Sequence, residues 1–189
     1  MKTERERKEE NAIVLDVLPM GYVGEQRSAF KREPIVQGVG VDQFKLLELV
    51  PKPGADIQIH ERVYIGDGER EKIERVKRRI SYEDLTATAK LELPFAIEQI
   101  VRENEPKFVE FFNKSVPITP KFHMLHLLPG IGKKLMWEVI QQRERKPFES
   151  FADISARIKS IPHPERMIVS RILHEIEDPE EKYHIFTSK

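Results

Sequence analysis

HLLPGIGKKLMWEVIQQR, residues 126–143, sets a proline and two glycines between two apolar runs and follows them with paired lysines. Upstream, KFHMLHLL (121–128) carries Phe122, Met124, Leu125, Leu127 and Leu128 and reads as a short buried helix. Pro129 cannot extend that helix, because it lacks an N–H and its ring meets the preceding turn. Gly130 and Gly132 permit backbone angles that other residues resist. From Ile131 onward the spacing is helical again, with Leu135, Met136, Val139 and Ile140 on one face. The pattern predicts helix, tight hairpin, helix. The first N–H groups of the second helix have no partners within it and lie at the positive end of its dipole. Glycines at 130 and 132 let a phosphate approach the main chain, and Lys133 and Lys134 add charge at the same place. A plain αα-hairpin with a glycine turn is the simpler alternative.

The chain has 189 residues, 39% hydrophobic and 34% charged, enough for one or two domains with a modest core under a charged surface. Formal net charge is zero, so attraction to nucleic acid must come from local segregation. Residues 121–175 show it, with ten Lys/Arg against six Asp/Glu. Cysteine is absent, which excludes disulfides and thiolate metal sites. MKTERERKEE has no apolar core and is no signal peptide, and no run reaches transmembrane length. A cytoplasmic protein without a membrane partner is expected. Residues 1–11 read as a flexible charged arm.

The first half reads as strands. AIVLDVL (12–18), PIVQGVGV (34–41), FKLLELV (44–50), ERVYIG (61–66) and VKRRISY (76–82) are short, β-rich and mostly separated by Gly or Pro. Five such strands within 12–84 predict a small β-barrel of the OB-like class, although pattern alone does not separate it from an SH3-like barrel. From Leu85 the period becomes helical. Pro94 and Pro106 suit the first turns of two linking helices within 85–115, and VPITP (116–120) reads as a stiff connection. Residues 116–177 then hold two helix–turn–helix units joined by a short helix, which Ser150 or Glu149 opens with Phe151, Ile154 and Ile158 facing inward. SIPHPERMIVSRI (160–172) resembles a worn copy of the opening motif without its glycines, and is expected to bind phosphate poorly. Residues 178–189 read as an acidic, solvated tail. The fold class is therefore α+β, an OB-like barrel followed by an all-α domain.

LLPGIGKKL is similar to the helix-hairpin-helix motif of many nucleic-acid-binding proteins, and KPFESFADI resembles the connector between tandem copies. Together with REPIVQGVG, LLELVPKPG, ERVYIG, VKRRISYEDLT and FFNKSVPITP, these segments make residues 12–177 resemble an archaeal family of unknown function. That family joins an OB-like barrel to a tandem helix-hairpin-helix domain, and its members are described as RNA- or nucleic-acid-binding. The resemblance implies phosphate contacts from the backbone N–H groups of Gly130, Gly132 and Lys133. It also implies a monovalent cation, Na or K, on the carbonyls of His126, Leu128 and Ile131. No other cofactor is implied. The family's setting points to ribosome or transcription machinery as partners.

Other basic residues extend the candidate surface. Residues 70–79 hold Arg70, Lys72, Arg75, Lys77, Arg78 and Arg79, and on a strand Lys77 and Arg79 could track a phosphate backbone. GYVGEQRSAFKREP (21–34) interleaves Tyr22 and Phe30 with Arg27, Lys31 and Arg32, as in loops that stack bases and hold phosphates. Internal salt bridges on a solvated face are the alternative for both. Trp137, inside an apolar helix, reads as core. His123 and His126 lack a third metal ligand and read as structural. Asp153 lacks the setting of a catalytic carboxylate, and GVGVD (38–42) lacks the helix of a nucleotide loop. The expectation is a non-enzymatic nucleic-acid-binding protein that favours RNA; a DNA-structure binder and a protein-interaction adaptor are the alternatives.

Overall fold

The computed structural model describes residues 8–22 and 32–189. The chain forms two compact units, one from Met1–Ala96 with Glu175–Lys189, the other from Ile97–His174.

The first unit is built on a curled, antiparallel half-barrel sheet of five strands. These are β1 (Asn11–Leu18), β2 (Ile35–Gly40), β3 (Leu46–Pro51), β4 (Arg62–Tyr64) and β5 (Ile73–Arg79), in spatial order β4-β1-β2-β3-β5. Register shifts at Val14/Asp16, Glu48/Leu49 and Val50/Pro51 interrupt the ladders. Such bulges bend strands and raise their twist, which curls a sheet. One buried cluster gathers Ala12, Val14, Val36, Leu47, Leu49, Ile57, Val63, Ile65 and Ile73. The alternate residues Ile13, Leu15, Ile35 and Val50 are buried too, so the central strands are covered on both faces.

The sheet's edges are tied by polar groups. Glu9 is buried, and its carboxylate accepts the N–H groups of Asp42 (2.8 Å), Gln43 (2.9 Å) and Lys45 (3.2 Å). It fills the space that a Cβ on Gly40 would occupy. Burial pushes the Glu9 carboxyl above the usual carboxylate range, against the pull of those N–H groups. Lys8 pairs with Asp67 at 3.1 Å. Within the described end of the expected arm, 8–11, Asn11 opens β1 and Lys8 and Glu9 are tied to this unit through their side chains. The chain's other end also returns to this unit. Glu175, 3% exposed, accepts from the N–H groups of Ile185 (3.0 Å), Phe186 (3.1 Å) and Thr187 (2.9 Å), and Ser188 N–H donates to Gln43 O at 3.3 Å. The expected solvated tail 178–189 is corrected accordingly: a buried carboxylate holds it.

Helix α1 (Ala87–Glu103) begins seven residues before Pro94, which lies inside it and not at its first turn. Thr86 starts the helix, its hydroxyl accepting Ala89 N–H at 3.0 Å. The second unit includes the rest of α1 and α2 (Glu105–Lys114), so these are not linkers outside a helical domain beginning at 116. Phe108, Val109 and Phe112 of α2 are buried. Arg143 donates to Phe112 O (2.9 Å) and Ser115 Oγ (3.0 Å), placing a cation on the C-terminal end of α2.

Residues 117–128 differ from the expected connection and helix. Pro117–Thr119 (β6) pairs with Phe122–His123 (β7) in a small antiparallel hairpin, and Met124–Leu127 is a single 3-10 turn. His123 Nδ1 accepts Leu125 N–H (3.1 Å) and His126 Nδ1 accepts His123 N–H (3.0 Å), which closes the turn from both ends. Burial, then Arg143 and His126, hold the His123 imidazole below its ordinary pKa. Helix α3 (Lys133–Arg145) buries Met136 and Val139. Helix α4 (Phe151–Arg157) is capped by Ser150 Oγ on Asp153 N–H at 3.0 Å, with Phe151, Ile154 and Ile158 buried. Helix α5 (Pro164–Glu177) follows a turn in which Ile161 N–H donates to Ile158 O at 2.9 Å.

Candidate nucleic-acid interface

The turn before α3 has a definite shape. Ile131 N–H donates to Leu128 O at 3.3 Å, the counterpart of the Ile161–Ile158 bond before α5. Gly130 has φ +85°, the left-handed region that glycine enters freely, and a Cβ there would touch Met167 Cε at 3.5 Å. Gly132 is the N-cap of α3, at φ −86° and ψ −176°. That is ordinary extended backbone, so the expected need for special angles holds at Gly130 and not at Gly132. What glycine supplies at 132 is room, since a Cβ there would have nothing within 4 Å.

The first turn of α3 is open. No side chain caps it, it contains no acidic residue, and Gly132, Lys133 and Lys134 are exposed. Among the described residues, neither lysine makes an ion pair. The α5 turn differs: Pro164 removes one N–H, and Glu165 occupies the first turn, 3.4 Å from His163. Of the two turns, that of α3 presents donors, positive charge and free approach together. Of the three carbonyls read as cation ligands, that of Leu128 already accepts the Ile131 N–H; His126 and Ile131 flank it in the same turn.

The basic strand of the first unit is different. Arg78 forms a two-pronged pair with buried Glu48, Nε to Oε2 at 2.8 Å and a terminal nitrogen to Oε1 at 2.7 Å. Arg75 and Lys77 both face Glu33, Lys77 at 3.7 Å. Lys72 pairs with Glu61, and Arg70 donates to Gly66 O at 2.8 Å. Arg79 donates to the main-chain oxygens of Ser188 (2.7 Å) and Lys189 (3.2 Å). Read from sequence as a phosphate track, this segment instead has its cations matched locally, Lys77 and Arg79 among them.

Tyr22 is likewise engaged. Its hydroxyl donates to Glu48 Oε1 at 2.6 Å and accepts from Gln37 Nε2 at 2.8 Å. Burial and the Glu48 carboxylate push its pKa up to about 12. Arg32 is half-buried. Arg27, Phe30 and Lys31 lie outside the described residues. Asp153 accepts the Glu149 N–H (3.0 Å) and pairs with Arg157 (3.2 Å), as part of the α4 start.

Trp137 departs from expectation most. It is 52% exposed, because Met136 and Val139 set the buried face of α3 and Trp137 points away from it. Helical spacing from those two residues was the signal that could have shown this. Among the described residues, no group of three or more His, Asp or Glu could hold a metal ion, and no helix is long and apolar enough to cross a membrane.

A family model described as "Protein of unknown function (DUF655)" matches residues 8–188. The chain is 48% identical over 186 residues to the uncharacterized protein MJ0038 of Methanocaldococcus jannaschii, a match covering 98% of this chain and 82% of that protein. It is similar to the crystal structure of Af1531 from Archaeoglobus fulgidus, described as DUF655, with TM-score 0.88 and 49% identity over 95% of this chain and 99% of that one. The archaeal relatives and the family of unknown function agree with that part of the resemblance read from the sequence.

Proposed function

This chain belongs to the DUF655 family, and we propose that it is a non-enzymatic nucleic-acid-binding protein that favours RNA. The observation that carries the reading is the first turn of α3: an uncapped helix start, open space over Gly132, and two lysines with no carboxylate partner among the described residues. Backbone N–H groups and a positive dipole end fit a phosphate, and the lysines strengthen its attraction. In this reading Gly130–Arg145 is the hairpin and second helix of a helix-hairpin-helix motif, and the α5 turn is its non-binding partner. The curled sheet is an OB-like barrel that serves mainly as scaffold, since its β5 cations are matched internally. A monovalent cation on the His126, Leu128 and Ile131 carbonyls would stiffen the turn. The preference for RNA and the link to translation or transcription rest on the family resemblance.

The test is competition binding with RNA, single-stranded DNA and duplex DNA of matched length across a salt series. Binding that weakens steeply with salt, tightest for RNA, supports the reading. Tighter binding to branched DNA favours the DNA-structure alternative, and no binding to any of them favours a protein adaptor.

A further inference from the structure

Trp137 is a large aromatic side chain placed where water reaches it. Among the described residues it makes no hydrogen bond or ring contact. What sets it apart from the chain's other exposed apolar side chains is its place beside two unpaired cations, which offers a stacking face and an anion site together. Trp137 lies three and four residues after Lys134 and Lys133, and such positions share a helix face. Helical side chains lean toward the N-terminus of their helix, here toward Gly132 and the two lysines. The rise from Gly132 to Trp137 is about 7.5 Å along the axis. Glu138 and Glu144 are the acidic residues of α3; Glu138 lies four residues after Lys134 yet among the described residues pairs with neither lysine, and Glu144 lies ten residues beyond Lys134.

From this juxtaposition we infer that Trp137 is a stacking platform for one unpaired nucleobase whose phosphate sits at the α3 N-terminus. The inference rests on the nucleic-acid reading above and narrows it to single-stranded partners: loops, ends or bulges. In a duplex both faces of a base are covered by neighbours, so an indole cannot stack without opening the helix. In a single strand the face is free, and stacking tolerates any base. Charge complementarity selects nucleic acid over an apolar protein surface: the two lysines and the dipole end favour an anion next to the aromatic plane.

Trp137 is the chain's sole tryptophan, so its fluorescence reports on this position alone. The experiment titrates the full chain with a single-stranded RNA oligonucleotide and with a duplex RNA of the same length. Tryptophan emission and the anisotropy of end-labelled RNA are read in parallel. The single strand is expected to quench Trp137 in step with the anisotropy change, and the duplex to leave emission nearly unchanged. Trp137→Ala should weaken single-strand binding about 5- to 150-fold, while Trp137→Phe, which keeps a stacking face, stays within about 3-fold of wild type. Thermal unfolding of both variants should match wild type, because the side chain is exposed. If RNA binds by anisotropy but emission and the Trp137→Ala affinity do not change, the stacking inference fails and the nucleic-acid reading survives. Equal quenching and equal loss with duplex overturn the single-strand preference. If neither RNA binds, both readings fall.

Discussion

Gly132→Val separates a hairpin that holds phosphate from one that only turns the chain. The substitution is unusually clean for a glycine in a tight turn. At φ −86° and ψ −176° valine meets no backbone strain, and its Cβ would have nothing within 4 Å. The stability cost is the loss of a favourable N-cap residue, about 0.5–2 kcal/mol, which a domain stable by roughly 5–15 kcal/mol survives. Binding should suffer more. A branched side chain over the first N–H groups denies a phosphate one charge-assisted hydrogen bond, about 1.5–3 kcal/mol, or roughly a 10- to 150-fold rise in Kd. Lys133→Ala and Lys134→Ala remove exposed charges of about 0.2–1 kcal/mol each and should lower the salt slope by about 0.7 per lost contact on a single strand. The assay is fluorescence anisotropy of labelled RNA at several salt concentrations, with thermal unfolding measured on the same samples. A Gly132→Val protein that stays folded and binds RNA as tightly as wild type would refute the phosphate role of this turn.

Glu9→Ala leaves the part-buried N–H groups of Asp42, Gln43 and Lys45 without their acceptor and should lower the stability of the first unit by about 1.5–3 kcal/mol in urea titration, whereas a loss under about 1 kcal/mol would mean water replaces the carboxylate. His123 is held below its ordinary value of 6.5, so the unfolded chain takes up protons that the folded one refuses. Its contribution is intact above about pH 6.5 and is lost as pH falls through the window between 6.5 and the lowered folded value. Urea midpoints should therefore drop over that window, and His123→Asn, which keeps an acceptor but cannot titrate, should flatten the drop; an identical slope in the variant would count against it. Glu175→Ala should abolish hydrogen-exchange protection at Ile185, Phe186 and Thr187, and unchanged protection there would show that other contacts hold the segment.

The strands were legible because alternation and Gly or Pro punctuation are local signals. Each of the five appears within a few residues of its expected span, and Ser150 opens α4 as its side chain suggests. The errors come from information that is not local. Phe122 to Leu128 carries enough apolar residues for a helix, but Phe122 and His123 pair with Pro117–Thr119 and Met124–Leu127 form one 3-10 turn; short apolar runs do not discriminate. Pro94 resembled a helix start because a proline usually is one, yet the Thr86 cap begins the helix earlier. The cations at 70–79 resembled a phosphate track because their partners are distant in sequence: Glu33, Glu48, Glu61 and the Ser188 carbonyl. Gly130 and the two lysines stand out by motif, whereas Trp137 reads as core because an apolar residue among apolar neighbours is usually buried, and here it is not.

The return of the C-terminal segment to the first unit has a consequence for folding order. Its residues come from both ends of the chain, Met1–Ala96 and Glu175–Lys189, while the second unit is one unbroken stretch, Ile97–His174. During synthesis the second unit has all its residues as soon as His174 emerges. The half-barrel must wait for the last residues before Glu175 can take the N–H groups of Ile185–Thr187 and before Arg79 can reach Ser188. Contacts that span about 110 residues close slowly, since loop entropy must be overcome before they form. The segment made before the second unit is thus completed after it, and the nascent half-barrel carries its Arg79 guanidinium uncovered until Ser188 and Lys189 arrive.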